Sequence, residues 1–108
     1  MKLITKEVEK LIEKYPLYSQ DGKGDEAVVI CKFFGGSAWS WYATEGSILP
    51  DGDIEFFGLV VGGYEAEYGY FTLSELKSIK FPPFGLGIER DMYFKGNIGD
   101  AKKESRVA

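Results

Sequence analysis

At 108 residues, 44% hydrophobic and 16% aromatic, the chain has the length and apolar content of one domain around one core, burying roughly 60–70% of its unfolded surface. Lys and Arg number 13 against 17 Asp and Glu, and the formal net charge of −4 opposes a phosphate backbone, so nucleic acid is a disfavoured partner. Histidine is absent and cysteine occurs once, which removes Ser-His-Asp and Cys-His nucleophile systems, His-ligated zinc and thiolate metal clusters; no cofactor or metal is expected.

The opening residues carry neither a signal-peptide pattern nor an apolar run of the roughly 20 residues a membrane span needs, so no membrane association is expected and the setting predicted is cytoplasmic. Val8, Leu11, Ile12 and Tyr15 recur at the spacing of one helix face, with Thr5 placed to cap the start and Pro16 to stop the end. A helix is predicted over 6–14. Residues 17–26 read as a loop with Gly22 and Gly24 inside it. The run 27–34 is apolar on both alternating sets and is predicted to be a central strand covered on both faces, with Cys31 a buried thiol acting as a small hydrophobe.

Gly35 and Gly36 turn the chain into a strand over 38–45 in which Trp39 and Trp41 share one face and Ser40, Tyr42 and Thr44 the other. The segment 46–53, with Pro50-Asp51-Gly52, is a loop. Residues 54–61 form a further strand, where Gly58 marks a bulge or a close backbone approach. Gly62-Gly63 signals a hairpin into 64–71, in which aromatic and acidic residues alternate. Trp39 and Phe57 are expected to be core anchors. Thr72 and Glu75 have capping-box spacing and open a short helix to about Ser78. After an irregular Pro82-Pro83 segment, 88–94 alternates as a last strand, and 96–108 reads as a flexible C-terminal tail beyond a domain at 1–95. The fold class is α+β: a mainly antiparallel sheet of about five strands, an N-terminal helix, and a short helix before the last strand.

Five separated blocks carry a resemblance: Pro16-Leu17-Tyr18-Ser19-Gln20, Trp41-Tyr42-Ala43-Thr44-Glu45-Gly46, Phe56-Phe57-Gly58-Leu59-Val60, 69–76 (Gly-Tyr-Phe-Thr-Leu-Ser-Glu-Leu) and 88–94 (Ile-Glu-Arg-Asp-Met-Tyr-Phe). In this order they resemble the bacterial domain-of-unknown-function family 2958 (DUF2958) over roughly residues 1–95. The resemblance brings no catalytic residues. It implies an association with plasmids, conjugative elements and phages, sometimes within larger proteins.

The candidate binding surface is Trp41, Tyr42, Glu45, Glu67, Arg90 and Asp91. Aromatics beside a carboxylate at a strand end make a pocket wall with a polar anchor, although the same residues serve equally as core and strand-end charge. Glu65 and Glu67, two apart, are either converging carboxylates or the wet face of a strand. Arg90 alternates with Glu89 and Asp91 and is placed either to bind an anion or to form an ion pair. The Asp21–Asp25 stretch lacks both the sixth-position glycine of a calcium loop and the ending of a phosphate loop. The Tyr64, Tyr68 and Tyr70 stripe suits core packing or a protein interface, with base stacking as another use.

The function expected is that of a non-enzymatic protein-interaction module with a protein partner. The alternatives are a carboxylate-based enzyme or small-ligand binder with Glu45, Glu67, Arg90 and Asp91 around one cleft, and a nucleic-acid-associated protein. Oligomeric state leaves no mark in the sequence.

Overall fold

The computed structural model describes residues 2–36 and 38–106. In chain order these form α1 (Lys6–Lys14), a 3-10 turn (Gly24–Glu26), β1 (Cys31–Gly35), β2 (Trp39–Ile48), β3 (Ile54–Gly62), β4 (Glu65–Thr72), α2 (Leu73–Ser78), β5 (Glu89–Asp91) and α3 (Ile98–Ser105). The strands make one antiparallel sheet in the order β4-β3-β2-β1-β5. The predicted α+β class holds, with β2 rather than β1 at the middle of the sheet.

Each sheet face has its own cover. Helix α1 is capped by Thr5, whose hydroxyl accepts the Val8 N–H, and lays Val8 and Ile12 against Phe33, Trp41, Ala43 and Phe56. Helix α2 opens with the Thr72–Glu75 capping box and adds Leu73 and Leu76 to the same layer. Phe56 anchors this layer, its ring centroid 5.5 Å from both Phe33 and Phe71. Truncating so buried an aromatic to alanine costs about 3–5 kcal/mol. On the other face, Ile98 and Ala101 of α3 pack on Tyr42, Leu59 and Val61.

Helix α3 corrects the expectation of a flexible tail over 96–108 for the residues described. Asn97 and Asp100 form a reciprocal capping box, and Ile98 and Ala101 are fully buried. Residues 107–108 lie outside the described residues. The chain leading into α3 is also tied to the run before β1: Val29 N–H donates to Gly96 O at 3.0 Å, and Ile98 N–H to Ala27 O at 2.9 Å.

That pairing explains why the run predicted as a strand over 27–34 joins the sheet only at Cys31. Its first residues spend their backbone groups on residues 96–98 and on the Gln20 side chain instead. The last strand is likewise shorter than 88–94. The Asp91 carboxylate accepts the N–H groups of Tyr93 and Phe94 at 2.8 and 3.1 Å, folding the chain out of the ladder.

The β3–β4 hairpin turns through Gly63 and Tyr64, with Gly63 at φ +63°. Glycine is favoured there because that backbone region costs a residue with a Cβ about 1–2 kcal/mol. Trp39, expected in the core, is 46% exposed, and Phe57 is half-buried; Trp41 (7%) is the indole that fills the interior.

Candidate functional site

The sheet departs from regular pairing once along β2 and β3. Ala43 opposes Gly58 and Glu45 opposes Phe57, leaving Thr44 as the extra residue of a β-bulge. Gly58 makes room for it: a Cβ there would stand 1.9 Å from the Tyr42 carbonyl oxygen. The bulge re-aims every later residue of β2. Regular alternation would send Glu45 to the α1 face with Trp41 and Ala43; the bulge sends it to the α3 face beside Phe57.

There Glu45 is buried, at 2% exposure, and its carboxylate is a clamp. One oxygen accepts the Tyr18 N–H at 2.7 Å and the other the Gln20 N–H at 2.9 Å. The Gln20 amide extends the tie, donating to the carbonyls of Thr44 and Val28, each at 2.8 Å, and accepting the Val28 N–H at 2.8 Å. Tyr18 is held at φ +74°, a conformation that costs a residue with a side chain about 1–2 kcal/mol and persists where the surroundings enforce it. Two of the five blocks noted in the sequence, 16–20 and 41–46, are therefore bonded directly to each other.

Beside this clamp, four aromatic side chains gather at the β4 edge. Phe57 stacks on Tyr68 with ring centroids 5.9 Å apart and meets Tyr70 at 5.0 Å. Tyr18, Tyr68 and Tyr70 are 64%, 48% and 52% exposed. A hydrogen bond with the Tyr18 hydroxyl raises the Tyr70 phenol above its ordinary value. A cavity of about 260 Å³ opens between the clamp and these rings, lined by Gln20, Asp21, Thr44, Glu45, Phe57 and Tyr68 among others.

A second polar assembly lies further along the same face. Lys32 Nζ donates to Glu104 Oε2 at 2.7 Å and lies 3.4 Å from Asp91 Oδ2, and the Tyr42 hydroxyl donates to the same Glu104 oxygen at 2.6 Å. The ammonium also sits over the rings of Tyr42 and Phe94, at 5.3 and 5.7 Å from their centroids. Burial alone would lower the Lys32 ammonium, but the Glu104 hydrogen bond and the surrounding groups raise it overall. Burial first, and the Glu104 bond second, push the Tyr42 phenol up to about 12. Asp91 is held below the usual carboxylate range: against its desolvation stand the N–H groups of Tyr93 and Phe94 and the charge of Lys32. Each group is thereby kept in its ordinary ionisation state, which fastens α3 to the sheet rather than poising a proton for transfer.

The six residues of the expected binding surface do not form one patch. Trp41 is buried on the α1 face, Tyr42 and Glu45 on the α3 face. Glu67 is exposed and opposes Val60 on the α1 face, where Arg90, opposite Phe33, also points; Asp91, opposite Lys32, is on the α3 face. Tyr42 and Asp91 meet through Lys32, and Arg90 and Asp91 line one groove beside β5, whereas Glu45 and Glu67 each lie elsewhere. Among the described residues no cluster of His, Cys, Asp or Glu is arranged to hold a metal ion. Cys31 is buried, and burial pushes its thiol up to about 12, with Arg90 pulling weakly the other way.

Sequence reasoning passed over Gln20, Lys32, Glu104 and the partnership of Tyr18 with Tyr70. Only the loop block 16–20 signalled any of them. An antiparallel sheet with a clamped loop and two faces covered unequally defines an α+β domain whose exposed chemistry is aromatic. The family model for proteins of unknown function DUF2958 matches residues 3–99, and the chain belongs to that family. No curated protein and no solved structure matches it. No helix among the described residues is long and apolar enough to cross a membrane.

Proposed function

We propose that the domain is a non-enzymatic protein-interaction module that engages a protein partner through Tyr18, Phe57, Tyr68 and Tyr70 and the adjoining β4 edge. The observation that carries this reading is the exposure of three tyrosines on a surface held rigid from beneath by the Glu45 clamp. Tyrosine supplies large contact area with little rotamer entropy to lose, and it is enriched at interfaces for that reason. Strand β4 is at the end of the sheet, so its outer backbone groups are open to a partner strand. The family resemblance adds the setting of mobile genetic elements.

The test is a pull-down from a bacterial lysate with the parent chain and with a Tyr68→Ser/Tyr70→Ser variant of unchanged circular dichroism. The expected result is a protein retained by the parent and lost with the variant. Identical recovery by both chains, or none above background, would remove the proposal.

A further inference from the structure

Three lysines from two parts of the chain line one groove on the α1 face: Lys2 before α1, and Lys77 and Lys80 at and just beyond the end of α2. The groove holds about 610 Å³, in the range of ligand-binding clefts, and its floor is apolar, built from Leu3, Ile4, Leu73 and Ile88. Leu86 and Gly87 line one side, Leu86 exposed at the end of the 81–86 loop, which is closed by hydrogen bonds between Phe81 and Leu86 in both directions. None of the three ammonium groups is in a salt bridge among the described residues. Among the described residues, Glu89 is the one carboxylate lining the groove. Asp53 hydrogen-bonds to the Ser74 N–H and hydroxyl, and the charge of Lys77 helps to hold its carboxyl below the usual range without forming an ion pair with it.

On a chain of net charge −4, this is a local reversal of sign around an apolar trough. We infer that the groove is a second binding site, separate from the tyrosine surface, for an acidic peptide segment bearing an apolar anchor residue. The anchor would fill the trough over Leu73 and Ile88, and the peptide's carboxylates would pair with Lys2, Lys77 and Lys80. Three cations from two chain segments, the N-terminal residues and the end of α2, with an apolar trough among them, suit a ligand that carries several anionic groups beside an apolar residue. Opposite charge around a desolvated anchor supplies both steering and register.

The experiment is fluorescence anisotropy of an array of labelled eight-residue peptides, each with four Asp or Glu around one Leu, Phe or Trp, against the whole chain. Basic versions with Lys in place of the acids serve as the counter-set, and decanoate as a competitor carrying a single anionic head. Binding by acidic members only, weakened about tenfold by Lys77→Glu/Lys80→Glu and by raising salt from about 20 to about 200 mM, is the expected result. Lys10→Glu, on the solvent side of α1, should leave it unchanged. No binding by any acidic peptide, equal binding by the basic set, or indifference to Lys77→Glu/Lys80→Glu would overturn the inference. Decanoate binding at the lysines without any peptide binding would overturn it in favour of an acyl anion.

Discussion

The backbone N–H of Gln20 donates to the carboxylate of Glu45 at 2.9 Å, while the Gln20 side chain bridges Thr44 and Val28 on either side of it. These two buried residues convert a loop rich in turn residues into part of the sheet's architecture. A carboxylate with two backbone donors has no equivalent replacement among neutral side chains.

Glu45→Ala should therefore destabilise the domain by about 3 kcal/mol or more, because it orphans the Tyr18 and Gln20 donors and opens a void. Glu45→Gln, which keeps one acceptor oxygen, should cost less, about 1–2 kcal/mol. Urea unfolding followed by tryptophan fluorescence measures both; an alanine variant within about 0.5 kcal/mol of the parent would contradict the clamp.

The two indoles of β2 should behave unequally although they stack at 5.9 Å. Trp41→Ala removes a buried ring and should cost about 3–5 kcal/mol. Trp39→Ala, at 46% exposure, should cost about 1–2 kcal/mol. Equal losses in the same unfolding experiment would mean that Trp39 is far better covered in solution.

Alkaline unfolding should report on Tyr42. Its phenol is raised to about 12 by burial and the Glu104 bond. A raised value means that the fold favours the protonated form: the stabilisation is complete below the unfolded value of about 10 and is lost as pH climbs through the folded one. Lys32, also raised, acts in the same direction. The midpoint of urea unfolding should thus fall above about pH 10, and Tyr42→Phe should make that fall shallower. An identical decline in parent and variant would show that Tyr42 does not ionise late.

The Cys31 thiol, buried and raised to about 12, should be inert to a disulfide reagent at neutral pH in the native protein and react at once in denaturant. Rapid stoichiometric labelling without denaturant would contradict this placement.

Much of the fold was legible because local chemistry and global packing agree. The 3.6-residue spacing of Val8, Leu11, Ile12 and Tyr15 gave α1, and the Thr72–Glu75 pair gave α2. Gly58 was readable as a point of close approach, but its partner, the bulge at Thr44, was not, since nothing local distinguishes Thr44 from an ordinary strand residue. That one extra residue moves Glu45 to the opposite face, and the strand order sets Glu67 and Arg90 on the two opposite edges of the sheet, so the expected cleft does not form. Helix α3 hid behind its charges: only Ile98 and Ala101 are buried in it, too few to make a periodic stripe, and the Asn97–Asp100 box was its sole local signal. The contacts among Lys32, Tyr42 and Glu104 span 62 and 72 residues, beyond the reach of any sequence window.

The sheet's two flanks are lopsided. Strand β5 has three residues and β4 has eight, so nearly all the unused ladder capacity lies on one side. If copies of this chain were ever to join strand to strand, β4 against β4 would consume that capacity in both and leave no long flank for a third. Such growth would stop at a pair instead of running on into a fibre.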